Sequence, residues 1–136
     1  MTMTSFPLKI VTPDGLQFEG TARELIVRTT TGDVGILAGH TDCVLPLGMG
    51  RATVVTDEGK KYAACIGGML SVLHGSVTLV PTTFEWAESI DAARAQASYD
   101  RGREVLQKKD VSSTELRMAE ARIKRALIRK SVADLR

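Results

Sequence analysis

The sequence predicts an α+β fold: an N-terminal antiparallel β-sandwich or flattened barrel, then a C-terminal two-helix hairpin. Three observations carry this reading. Short alternating apolar runs fill residues 1–84, and turn signals close them. Beyond Pro81 glycine nearly disappears, and Ala, Arg, Glu, Gln and Leu, all good helix formers, take over. Charge divides at the same place: residues 1–84 hold six Lys/Arg against seven Asp/Glu, whereas residues 85–136 hold twelve against nine.

The strands follow from period-two patterning. "PLKIVTPDG" alternates and stops at Pro13-Asp14-Gly15, a strong turn. "LQFEGTARELIVRTTTG" supplies two strands, with Gly20 and Gly32 as punctuation. "GDVGILAGHT", residues 32–41, reads as a glycine-shaped loop. It lacks the Gly-Lys-Ser/Thr ending of a phosphate-binding loop. "CVLPLG", "RATVVT", "KKYAACIGG", "MLSVLHG" and "SVTLVP" follow as further strands. Thr56-Asp57-Glu58-Gly59 reads as a hairpin turn with Gly59 at positive φ, and His74-Gly75 as another.

The helical unit is expected over residues 88–136. "SIDAARAQASYDRGREVLQ" forms one helix, opened by Ser89 or Asp91 as N-cap and turning Ala93 and Ala97 inward. Gln107 to Ser113 forms the break, and Ser112 with Glu115 has capping-box spacing. The second helix runs to about Val132, with Leu116, Ala119, Ile123, Ala126 and Leu127 as its apolar stripe. Arg122, Arg125 and Arg129 form a basic stripe on the opposite face. Helices this short are marginal alone, so the stripe must close on its partner helix, on the sandwich or on another protein.

Composition excludes several classes. With 136 residues the chain fits one domain, or a compact domain with an appendage. Only 4% aromatic residues argues against a base-stacking nucleic-acid platform. No apolar run approaches the roughly 20 residues that span a bilayer. The start, "MTMTSFPLKIV", has neither a secretory nor a transit pattern. Cys43 and Cys65, 22 residues apart, match no metal spacing and read as small apolar residues in a reducing compartment. His40 and His74 sit in glycine-bounded loops with no nucleophile–base pair in sight, so no catalysis and no metal site is expected. The basic surplus of the tail points to an acidic partner or ligand.

The order of motifs Gly-Asp-Val-Gly-Ile-Leu-Ala-Gly-His, "GMGRATV", "CIGGMLSVLHGSVTLV" and "IDAARA" resembles the epsilon subunits of bacterial rotary (F-type) ATP synthases over essentially the whole chain. The resemblance implies a flattened β-sandwich that clamps the gamma subunit and sits on the ring of c subunits. It also implies a hairpin that can inhibit ATP hydrolysis at the alpha and beta subunits of a proton-translocating enzyme. Such a subunit is non-catalytic, needs no cofactor, and lies peripherally on the cytoplasmic face of the bacterial membrane. By the same resemblance Asp33 and His40 touch the c ring. Ala38, where many relatives carry proline, departs from the pattern. Ile90-Asp91-Ala92-Ala93-Arg94-Ala95 matches the signature of relatives that bind ATP as a regulatory ligand. That correspondence adds Glu85, Arg101, Arg125 and Arg129 to Ile90, Asp91, Arg94 and Ala95.

The residue chemistry is compatible with this. A carboxylate can accept from an adenine amino group, and guanidiniums can chelate phosphate. In the inhibitory state Arg122, Lys124 and Arg125 would meet an acidic segment of the beta subunit. The competing reading is a free-standing module whose tail, with seven Lys/Arg from residue 117 onward, binds RNA or an acidic protein. The scarcity of aromatics and a nearly neutral sandwich weigh against nucleic acid.

Overall fold

The computed structural model describes residues 5–136; residues 1–4, the first part of the segment read for targeting signals, lie outside the described residues. The chain divides into two compact units, residues 1–86 and 87–136.

The first unit contains β1 (Phe6–Thr12), β2 (Gly15–Ala22), β3 (Glu24–Thr29), β4 (Gly32–Leu37), β5 (Cys43–Pro46), β6 (Met49–Thr56), β7 (Gly59–Leu73) and β8 (Ser76–Trp86). They pair in the order β2-β1-β8-β7-β6-β3-β4, and β5 also pairs with β7. All pairings are antiparallel except β1 with β8, which places Leu8 beside Val77 and Ile10 beside Leu79. Alternation gives β1 its sidedness: Phe6, Leu8 and Ile10 are buried, while Pro7 and Lys9 are exposed. Leu25, Val27, Ile36, Val54, Leu70 and Leu79 join them in one core.

Two long strands serve both layers of the sandwich. Residues 59–66 of β7 pair with β6, and residues 69–72 pair with β5. Sequence reading expected two strands here, parted at Gly67-Gly68. Instead the chain bends and continues, with φ of 68° and 100° at those glycines. A Cβ on Gly68 would lie 2.0 Å from the Val80 carbonyl oxygen, so only glycine fits. Pro81 stands opposite Gly68, where the irregular ladder tolerates its missing N–H, and β8 runs past it to Trp86. Two other expectations change. Gly20 lies inside β2, opposite Leu8, because a pleated ladder accepts a glycine without breaking. Residues 32–37 are strand and not loop, since they pair in register with residues 24–29.

The second unit opens with a 3₁₀ turn, Ala87–Ser89, followed by α1 (Ala92–Gln107) and α2 (Ser113–Ala133). Asp91, not Ser89, is the N-cap of α1, accepting from the Arg94 amide at 3.0 Å. Ser112 caps α2 by accepting from the Glu115 amide at 3.1 Å, and its hydroxyl donates to the Glu115 carboxylate at 3.3 Å. The inward face of α1 differs from the expected one: Ala95 and Gly102 are buried, whereas Ala93 and Ala97 are exposed. Alanine favours the helix on any face, so its spacing carries no sidedness. On α2, Ala119 and Ala126 are buried, as are Val132 and Ala133, but Leu127 is 47% exposed. Arg136 donates from Nη1 to the Ile90 carbonyl at 2.9 Å, tying the chain end to the start of α1. Among the described residues no helix is long and apolar enough to cross a membrane.

Candidate functional site

The sandwich carries one candidate patch. Asp33, at the start of β4, faces Arg28 across the ladder, and its carboxylate accepts from Arg28 Nε at 2.7 Å. Both side chains are about half exposed, so the pair contributes less than about 1 kcal/mol. His40 lies beyond the far end of the same strand, where its amide donates to the Leu37 carbonyl at 3.2 Å. Its Nδ1 is 2.8 Å from the Thr41 carbonyl, which can only accept, so the proton sits on Nδ1. Asp33 and His40 are therefore separated by the length of β4, about 13 Å from residue 33 to 37 alone. Beside His40, the Asp42 carboxylate accepts from the His74 amide at 2.9 Å and joins two neighbouring turns.

The outer face of the same unit carries exposed apolar groups. Pro46, Met69 and Val80 lie side by side across β5, β7 and β8, with Met69 and Val80 43% and 45% exposed. At the β1–β2 edge the half-buried Val11 pairs with the exposed Leu16. Val44, two pairs along from Pro46, is also exposed.

The hairpin holds the second candidate, a cleft of about 400 Å³ between α1 and α2. Arg101, Gly102 and Val105 line it from α1; Glu115, Met118, Ala119, Ala121, Arg122 and Arg125 line it from α2. Gly102 sets the closeness of the helices: a Cβ there would meet Ile123 Cγ1 at 2.6 Å and the Ala119 carbonyl oxygen at 3.2 Å. Three exposed guanidiniums and one carboxylate thus ring an otherwise apolar hollow. Several other arginines are engaged: Arg23 with Asp57, Arg28 with Asp33, Arg51 over Tyr62 and Arg103 over Tyr99, whereas, among the described residues, Arg94 and Arg117 are not. Those of Arg101, Arg122 and Arg125 have no hydrogen bond or ion pair among the described residues. The cleft is poised to take an anion.

The β-sandwich family of ATP synthase delta/epsilon chains matches residues 5–87. An ATP synthase epsilon chain of Caldanaerobacter subterraneus is 39% identical over 131 residues, covering 96% of this chain and 94% of its own length. This chain belongs to that family. A second epsilon chain, from Ruminococcus albus, is also 39% identical, over 97% of this chain and 98% of the relative. Among solved structures, a chain of the Euglena gracilis mitochondrial ATP synthase OSCP/F1/c-ring assembly aligns with TM-score 0.80 at 23% identity, over 98% of this chain and 83% of that one. That likeness concerns the fold.

Of the eight residues that the family resemblance assigns to ATP, the cleft brings together Arg101 and Arg125. Ile90 and Ala95 are buried, at 2% and 0% exposure. One oxygen of Asp91 is committed to the helix cap. Asp91 stands ten residues before Arg101, about 15 Å along the helix axis. Arg94 is exposed and Arg129 half-buried, and neither lines the cleft. Glu85 belongs to β8, opposite Ala64. Lys124 is exposed outside the cleft. Arg122, expected only as a docking residue, lines the cleft, as do Gly102 and Met118, which sequence reading passed over. A glycine in an otherwise glycine-poor helix was the available signal.

Proposed function

We propose that the chain is the central-stalk epsilon subunit of a rotary ATP synthase, with the sandwich serving assembly and the hairpin serving regulation. The family of which it is a member is a non-catalytic part of a membrane-associated complex. The finer placement, peripheral on the cytoplasmic face of a bacterial membrane, is part of the proposal. The sandwich docks on gamma through the row Pro46, Met69 and Val80, since exposed apolar groups of this kind favour protein contact. Asp33 and His40 meet polar loops of the c ring. Asp33 can exchange Arg28 for a partner's cation at little cost, because the existing pair is exposed.

The hairpin senses ATP and restrains hydrolysis. The observation that supports this reading is the cleft with three unpartnered guanidiniums from two helices. Without an anion the like charges repel across the hairpin and favour opening; a triphosphate offsets that repulsion. The open hairpin then presents Arg122, Lys124 and Arg125 to an acidic segment of the beta subunit. At ten times its Kd, ATP would favour the closed form by about 1.4 kcal/mol, roughly tenfold. Calorimetry of the full chain tests this: ATP binding is expected in the wild type and its loss in Arg101→Ala and Arg125→Ala. An absence of heat at millimolar ATP would end the sensing role.

A further inference from the structure

One carboxylate at the end of the sandwich holds one residue by two different groups. Asp42 Oδ1 accepts from the His74 amide at 2.9 Å, and Asp42 Oδ2 lies 3.8 Å from Nδ1 of the His74 ring. The amide bond is indifferent to the state of the ring. The second contact becomes an ion pair only when the imidazole is protonated. We propose that Asp42 and His74 form an acid-tightened brace between the β4–β5 connection and the β7–β8 turn. The brace stands without the assembly reading; its consequence for docking rests on that reading.

The geometry gives the contact leverage. Its two residues are 32 apart in sequence, so it ties together segments that the chain itself does not hold close. His74 and Gly75 form a two-residue turn between the paired Leu73 and Ser76, with φ of 49° and 82°. A non-glycine residue adopts that left-handed conformation at a cost, and the carboxylate on its amide helps to hold it there. The surroundings leave Asp42 as the carboxylate that the ring meets. On the β4–β5 connection His40 keeps Nδ1 on the Thr41 carbonyl at 2.8 Å, with Cys43 Sγ 4.0 Å away. A proton gained by His40 therefore goes to Nε2 and adds nothing to the brace. On β1, Lys9 stands beside Thr78, four residues beyond His74, and opposite Glu19. Arg23 is paired with Asp57, and Asp33, at the other end of β4, with Arg28.

An imidazole gains its proton between about pH 8 and 5, while a carboxylate keeps its charge. The brace is thus complete on the acid side of that window and reduced to the amide bond on the alkaline side. Side-chain exposures of 86% for His74 and 48% for Asp42 keep the gain modest. Residues 38–42 become stiffer in acid, and His40, proposed to meet the c ring, is then presented on a better-ordered loop.

The test is a double-mutant cycle in the full chain, with unfolding followed by Trp86, the single tryptophan, which lies in β8. Asp42→Asn keeps an oxygen for the amide, and His74→Asn keeps the turn, because asparagine accepts positive φ. The coupling between the two positions, read as a ratio of unfolding constants, should be up to about fivefold larger at pH 5.5 than at pH 8. Equal coupling at both pH values, or a larger one at pH 8, would overturn the brace. A His40→Asn background should leave the difference intact; its loss there would move the pH dependence to His40 and end the proposal. Backbone amide relaxation should show residues 38–42 more ordered at pH 5.5 than at pH 8, and equally ordered at both in Asp42→Asn. A wild-type loop unchanged between the two would refute the stiffening. None of these measurements involves a c ring, so failure of the brace and failure of c-ring docking are told apart.

Discussion

Replacing Gly102 by alanine sets two opposing effects against each other within the hairpin. In an isolated helix the change is favourable by about 1 kcal/mol, because alanine loses less backbone freedom than glycine. Here the new methyl would stand 2.6 Å from Ile123 Cγ1 and 3.2 Å from the Ala119 carbonyl. The first neighbour is a side-chain atom close to its own backbone and the second is backbone, so neither yields easily. Overpacking of this kind costs about 1–3 kcal/mol. The net expectation is a loss of up to about 2 kcal/mol from the closed hairpin, a shift of up to about 30-fold toward opening. Hydrogen exchange followed on peptides from residues 92–107 and 113–133 separates hairpin opening from unfolding of the sandwich. The double variant Gly102→Ala/Ile123→Ala should be less destabilised than the sum of its parts, since the nearer clash is removed. If Gly102→Ala slows exchange throughout both helices, the propensity gain has won and the close packing inferred for this crossing is wrong.

Three further outcomes can be measured directly. A chain ending at Trp86 should unfold cooperatively, because its core is drawn wholly from residues before the helices; a non-cooperative melt would contradict that independence. Gly68→Ala should cost about 2–5 kcal/mol through strain at positive φ and collision with Val80, seen as a lower denaturant midpoint at unchanged slope. Burial pushes the Cys65 thiol up from 9.0 to about 12, so its folded form binds the proton more tightly than the unfolded one. The associated stability is complete below pH 9 and declines by up to about 1.4 kcal/mol per unit toward pH 12. Denaturation at pH 8 and 10.5 should reveal this decline, and Cys65→Ala should lack it.

The legible parts of the sequence were those where side-chain chemistry and geometry agree. β1 is a strict alternation of buried Phe6, Leu8 and Ile10 with exposed neighbours, and the Asp91 and Ser112 caps follow from short polar side chains before helix formers. Glycine was ambiguous because one residue type serves turns, bends and close contacts. Gly59 marked a turn, whereas Gly20 sat within a strand and Gly67-Gly68 bent one without ending it. The helix faces were harder still. Rotation of one helix against another depends on what fits at the crossing, so Ala93 and Leu127 satisfy a periodic pattern yet remain exposed. The cleft shares this difficulty. Spacing aligned Arg122 with Arg125 on α2, but Arg101 joined them only through the packing of Gly102 on Ile123.

The continuity of β7 through Gly67-Gly68 has a mechanical consequence. In a sandwich of two separate sheets, only apolar contacts resist sliding of one sheet over the other, and such contacts have no directional preference. Here β7 and β8 run from one layer into the other as unbroken backbone, paired with each other over Ala63–Leu73 and Ser76–Trp86. Shear between the layers must therefore stretch covalent chain and break a row of hydrogen bonds together. A small sandwich built this way behaves under torque as a stiff cam, passing a lateral push on one face to the other with little slip.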